Sequence, residues 1–188
     1  EGDVLEINAF YLASLLHQPY KVVANLPYYV ASPIIRKFLE YLTLAKSFNL
    51  QPRCLVLMTQ KEVAQRICAN PPQMSLLAIA VRFYAKPEII SYVSKNSFWP
   101  KPKVDSAIIK IILNKEQQTK NNNLFFKIVK AGFSQPRKQL INNLSKGLKI
   151  ERQKISPWLE RNGIQFNQRA ESLSLDDWIK LTENFRIK

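Results

Sequence analysis

The stretch Val22-Val23-Ala24-Asn25-Leu26-Pro27-Tyr28-Tyr29 constrains this chain more than any other. Val22 to Ala24 is an apolar run too short for a helix and suited to a buried strand end. Pro27 fixes its own φ, carries no N–H, and pushes Leu26 into an extended conformation. The strand therefore cannot pass straight into a helix. It stops in a stiff turn that gathers an amide side chain, backbone carbonyls and an aromatic ring at its carboxyl end. In open α/β sheets ligands bind at that end, so the stretch predicts an α/β fold with a site beside Asn25.

Such a turn suits an exocyclic amine on a flat ring. The Asn25 side-chain oxygen and the Leu26 carbonyl can accept the two N–H bonds of the amine, and Tyr28 can stack on the ring. The amine of adenine is a poor nucleophile because its lone pair is delocalised. Two placed acceptors favour its attack on an electrophilic methyl group by positioning and dipoles, without a strong base. Taken in isolation, the same four residues read more simply as a strand-terminal Asx turn with a core tyrosine.

Charge narrows the partner. The chain of 188 residues carries +14, and residues 95–154 hold fourteen Lys and Arg against Asp105, Glu116 and Glu151, which leaves +11 of that total in about a third of the length. Phe98, Trp99, Phe125, Phe126 and Phe133 are interleaved with these cations. The combination points to a phosphate polymer, RNA or DNA before a membrane. No apolar run reaches membrane-span length. Cys54 and Cys68 stand fourteen apart with a single histidine, His17, so neither a zinc site nor a disulfide framework is expected; a reducing, cytoplasmic setting fits.

Along the chain, Gly2-Asp3 reads as a strand end turning into a loop with Asp3 at its tip. Residues 8–18 read as a short helix, 21–25 as a strand, and Ser32-Pro33 as N-cap and first position of the next helix. A second strand covers 54–59, Gln60-Lys61-Glu62-Val63 opens a helix, and 74–84 has helical spacing. Two β-branched runs, 88–94 and 106–114, flank Phe98-Trp99-Pro100-Lys101-Pro102-Lys103-Val104-Asp105-Ser106. Two prolines make that loop rigid, and rigid aromatics beside cations suit a stacked base and its phosphates. Residues 115–123 are polar and aperiodic and read as a linker. Helices are expected near 123–133, 138–147, 151–161 and 174–185, with Gly163 as a stop and Ser174/Asp177 as an N-cap pair. Arg137 and Lys138, just past Pro136 at a helix junction, are placed to grip a phosphate backbone.

The order of these motifs, continuing through Phe133-Ser134-Gln135-Pro136-Arg137-Lys138 to Arg169-Ala170-Glu171-Ser172-Leu173-Ser174, closely resembles the ribosomal RNA adenine N6,N6-dimethyltransferase family, above all its bacterial small-subunit (16S) members. The resemblance covers nearly the whole chain. It implies a class I, Rossmann-like domain using S-adenosylmethionine, present as its carboxyl-terminal part over 1–115, followed by a small all-α RNA-binding domain over 116–188. By position, Asp3 resembles the acidic residue near the cofactor adenine. Asn25 resembles the motif Asn that touches both cofactor and target amine, with Leu26 and Pro27 shaping the turn. Tyr28 and Phe98 resemble the two aromatics that sandwich the target adenine. Lys101, Lys103, Arg137 and Lys138 would hold RNA. The implied substrate is a pair of adjacent adenosines in small-subunit ribosomal RNA, on the pre-ribosomal 30S subunit, and no metal is implied.

One departure is large. The four glycines, at 2, 132, 147 and 163, form no Gly-rich loop, so the part of the family that cradles the methionine end of the cofactor is absent from this sequence. The chain alone is expected to bind cofactor poorly and not to turn over, and the edge of its 21–25 strand is expected to invite self-association. Three other readings remain at this stage: a large-subunit adenine methyltransferase of the macrolide-resistance type, a non-catalytic RNA-binding or assembly factor, and a DNA adenine methyltransferase.

Overall fold

A computed structural model describes residues 3–7, 20–27, 29–44, 52–114 and 121–186. The helix expected over 8–18, Tyr28, and most of the polar linker lie outside the described residues. The chain divides into two compact units, Glu1–Cys68 with Tyr84–Lys115, and Ala69–Phe83 with Glu116–Lys188. No helix among the described residues is long and apolar enough to cross a membrane.

The first unit is built on a four-stranded sheet. β1 (Lys21–Asn25) pairs in parallel with β2 (Cys54–Gln60), Asn25 standing opposite Met58. Between them runs α1 (Ala31–Leu44). Ser32 therefore lies inside the first turn of α1 rather than at its cap. Pro33 stays within that turn, where a missing N–H forfeits no helical bond. After β2 comes α2 (Lys61–Cys68), so Gln60 is the last strand residue and the helix opens one residue later than the sequence suggested. α3 (Leu76–Tyr84) runs directly into β3 (Ala85–Val93), and β4 (Ser106–Leu113) lies antiparallel to both β3 and β2. The strand order is β1-β2-β4-β3. β3 begins three residues before the expected 88 because it takes in Pro87. It is an edge strand, where a residue without an N–H is tolerated.

Alternation along β2 shows how the sheet is covered. Leu55, Leu57 and Thr59 are fully buried, while Cys54, Val56, Met58 and Gln60 are half-buried. Ala107, Ile109 and Ile111 of β4 stand opposite the buried set, and α2 lies against β2, β3 and β4. The other face is only partly closed: Val23, which is paired with Val56, is 77% exposed. Among the described residues no strand pairs with the outer edge of β1.

The second unit is helical: α4 (Asn122–Gly132), α5 (Leu140–Leu148), α6 (Arg152–Arg161) and α7 (Leu175–Glu183). Its punctuation was written in the sequence. Gly163 takes φ +74° after α6, which a β-carbon would strain. Ser174 and Asp177 form a complete capping box on α7. The segment 69–83 joins this unit through Phe83, whose ring stacks on Phe125 at 4.3 Å, and through the Met74 N–H, which donates to the Glu171 carbonyl at 2.9 Å. Arg169-Ala170-Glu171-Ser172-Leu173-Ser174 thus serves packing: Ala170 and Leu173 are buried and Glu171 holds Met74 by its backbone.

Candidate nucleic-acid interface

Sheet topology alone brings the sequence's two most chemical segments to one end of the first unit. β1 and β2 are parallel, so their carboxyl ends coincide. β4 is antiparallel to β2, so Ser106, its first residue, stands opposite Gln60, the last residue of β2. Val93, the last residue of β3, also pairs with Ser106. The loop 94–105 therefore leaves and re-enters the sheet at the end where β1 stops at Asn25. β4 lies two inter-strand spacings from β1, about 10 Å.

The turn after β1 is held from both sides. Leu26 is buried, and its N–H donates to the Met58 carbonyl at 3.1 Å, extending the ladder by one residue. The Pro27 carbonyl accepts the Val30 N–H at 3.1 Å, closing a tight turn immediately before α1. Asn25 and Pro27 are exposed on either side of the buried Leu26 anchor. A side-chain amide is thereby presented at a fixed place on the end of the sheet. Asp3 sits in a turn of its own: one carboxylate oxygen accepts the Leu5 N–H at 2.8 Å, and its carbonyl accepts the Glu6 N–H at 3.0 Å. Lys37 of α1 donates to the Leu5 carbonyl, which ties that turn to the helix following the Asn25 turn.

The loop 94–105 has its own clasp. The Asp105 carboxylate accepts the Lys95 N–H at 3.0 Å, and the Asp105 carbonyl accepts the Lys61 N–H, the first of α2, at 3.0 Å. The Ser94 hydroxyl accepts the Asn96 N–H, and Lys95–Ser97 forms one 3₁₀ turn. Lys61 also places its ammonium over the Tyr92 ring, 5.2 Å from the centroid. Within the loop Phe98 is half-buried, and Trp99, Lys101 and Lys103 are exposed. Sequence reasoning passed over Asp105. The signal was present as a carboxylate at the foot of a proline-stiffened loop, but its partner, a backbone N–H ten residues earlier, carries no mark in the sequence.

Arg137 and Lys138 lie in the helical unit, on the turn between α4 and α5. Both are exposed. The turn is fixed from beneath by Asn143, a buried side chain whose amide donates to the Gly132 carbonyl at 2.7 Å and the Gln135 carbonyl at 2.9 Å. The Lys138 N–H closes back on the Gln135 carbonyl at 3.0 Å, and the Leu140 N–H donates to the Gln168 carbonyl at 2.7 Å. Phe133 turns inward against Trp178, with ring centroids 5.7 Å apart. Asn143 was also missed: an Asn inside a helix reads as a weak helix former until its two carbonyl partners are seen.

Comparison with known proteins places these features in a group. The family model described as ribosomal RNA adenine dimethylase matches residues 1–186. The chain is 42% identical over 191 residues to ribosomal RNA small subunit methyltransferase A of Dehalococcoides mccartyi, with 97% of this chain and 62% of that protein covered. It is 40% identical over 187 residues to the protein of the same description from Fusobacterium nucleatum, with 97% and 67% covered. It thus spans about 62% of the length of the first of these curated relatives. Among solved structures, a dimethyladenosine transferase from Plasmodium falciparum is similar with a TM-score of 0.70 at 27% identity, over 96% of this chain and 69% of that one. The 23S rRNA methyltransferase ErmE is similar in fold, with a TM-score of 0.69 at 22% identity, over 90% of this chain and 66% of that one.

Proposed function

The chain belongs to the ribosomal RNA adenine dimethylase family, and from that membership we propose that it carries the acceptor side of a S-adenosylmethionine-dependent adenine N6,N6-dimethyltransferase acting on small-subunit ribosomal RNA in the bacterial cytoplasm. The observation that carries the proposal is the convergence of the Asn25 turn and the Phe98 loop at one end of the sheet.

The roles follow from the chemistry of each group. The Asn25 side-chain oxygen and the Leu26 carbonyl accept the two hydrogens of the adenine amine, drawing its lone pair out of conjugation. Pro27 keeps these acceptors from moving, and Phe98 with Tyr28 holds the ring. S-adenosylmethionine, when bound, supplies the electrophilic methyl group. On taking the methyl group, whose bond to the sulfonium would break to leave a neutral thioether, the amine nitrogen sheds a proton to solvent, and no buried base is needed. In the second round the amine has one hydrogen left, so one acceptor loses its partner and positioning by the two rings carries more of the work. Asp3 and Asn25 are the residues that would hold the cofactor. The Asp3 carboxylate, with one oxygen already engaged, suits its adenine end, and the Asn25 amide would meet the cofactor beside the target amine. Lys101, Lys103, Arg137 and Lys138 are assigned to RNA phosphates, within a 30S-type precursor, with the sheet unit taking the base and the helical unit the backbone. The outer edge of β1, with which no strand among the described residues pairs, is where a second copy of the chain would add.

The test is transfer of labelled methyl groups to small-subunit ribosomal RNA, with nucleosides quantified after digestion. It is run on the 188 residues and on the same residues joined to the Gly-rich segment that this family carries. The joined protein is expected to yield N6,N6-dimethyladenosine, the 188 residues alone far less, and Asn25→Ala none while RNA binding persists. Wild-type yield from Asn25→Ala overturns the proposal, as does methylation of large-subunit RNA only.

A further inference from the structure

Trp99 is 97% exposed, whereas the other two tryptophans, Trp158 and Trp178, are 1% and 0% exposed. Leaving so large an apolar surface in water forfeits the burial that stabilises both of its counterparts, and a single fully solvated indole on a stiff loop is the mark of a contact made with a partner. The backbone explains the orientation. Phe98 is extended, at φ −122° and ψ 149°, so successive side chains leave on opposite sides. Phe98 is half-buried, and Trp99, leaving the backbone on the other side, is exposed. Trp99 therefore cannot share the ring sandwich assigned to Phe98. Its neighbours are Lys101 and Lys103, both exposed, and the loop is clasped at its foot by Asp105 and Lys95. Held in this way, the indole loses little freedom on contact.

We propose that Trp99 is a second stacking platform, which takes an unpaired RNA base flanking the one held by Phe98, with Lys101 and Lys103 on the connecting phosphates. The proposal rests on the assignment of RNA as substrate. It adds a specificity element to that assignment, a requirement for an unstacked neighbour beside the target adenosine. An indole face and two ammonium groups match a flat π-system joined to anions, and base–aromatic stacking of this kind tolerates any base.

The protein supplies its own reporter, because Trp99 is the one tryptophan within reach of solvent. The probe is an RNA hairpin whose loop holds two adjacent adenosines, compared with the same hairpin abasic at the nucleotide beside the target. RNA should quench the iodide-accessible part of the emission. Trp99→Ala should weaken binding about 5- to 20-fold, Trp99→Phe less than about twofold, and Trp99→Leu nearly as much as Ala, as expected for stacking rather than apolar contact. The abasic hairpin should bind wild type more weakly and Trp99→Ala no more weakly than the intact hairpin does. None of the three variants should change the melting temperature, since the side chain packs on nothing. Unchanged binding by Trp99→Ala, with weakened binding by the double variant Lys101→Ala/Lys103→Ala, overturns the second platform and leaves RNA as substrate. If all of these variants bind like wild type, the RNA assignment falls with it.

Discussion

Two loops of this chain carry exposed cations, each is fixed by one polar side chain, and they turn their aromatic residues in opposite directions. In the loop 94–105, the Asp105 carboxylate grasps one backbone N–H, and an indole faces solvent beside two lysines. In the turn 133–139, the buried Asn143 amide grasps two backbone carbonyls, Phe133 packs on Trp178, and Arg137 and Lys138 face out beside Pro136 and polar groups, with no aromatic ring fully exposed. A loop that displays rings and cations can hold an unstacked base. One that displays cations alone can hold a phosphate backbone without reading it. The clasps differ to match: a half-buried carboxylate holds the foot of the proline-stiffened loop, and a buried amide donating to two carbonyls holds the turn from beneath.

The comparison breaks most severely at Asn143. Asn143→Asp would set a carboxylate, which only accepts, against two carbonyl oxygens. It should destabilise by more than Asn143→Ala, itself about 2–3 kcal/mol from two stranded buried acceptors, as read by urea denaturation. Gly132→Ala comes next. A β-carbon there would meet the Trp178 ring at 2.3 Å, so a loss of about 1–3 kcal/mol is expected from overpacking beneath the same turn. Asp105→Ala should cost less than about 1 kcal/mol in stability, because its bond is partly solvated, yet should lower the fluorescence anisotropy of Trp99 as the loop loosens. The smallest effect is the most diagnostic. Arg137→Ala/Lys138→Ala should leave stability unchanged and flatten the log–log salt dependence of RNA binding by about 1.4 for two phosphate contacts to a single strand, with no change in base preference. A changed base preference would erase the distinction between the two loops.

Much of this division was legible in the sequence. The Asn25-Leu26-Pro27 turn announced itself because proline and a short apolar run act locally, and local rules survive folding. The helix stop at Gly163 and the helix start at Ser174 were legible for the same reason. Three features were not. Pro87 hid the first residues of β3, since proline is compatible with a strand only at an edge, and edges are set by topology. The attachment of 69–83 to the helical unit depends on Phe83 meeting Phe125, forty-two residues later, which no local pattern encodes. Asp105 and Asn143 act on backbone atoms, and a backbone partner has no sequence identity to recognise. The side chains proposed to face a base are conspicuous by type, while the residues that hold their loops are not.

The most direct test of the account is a titration of the protein with RNA carrying 2-aminopurine at the target adenosine, which compares the plateau of the fluorescence change with its midpoint. The account predicts that Phe98→Ala collapses the plateau, because the base is no longer sandwiched between two rings, whereas Arg137→Ala/Lys138→Ala moves the midpoint to higher protein concentration and leaves the plateau intact. A full plateau from Phe98→Ala, or a diminished one from the Arg137/Lys138 variant, would contradict the separation of base reading from backbone holding.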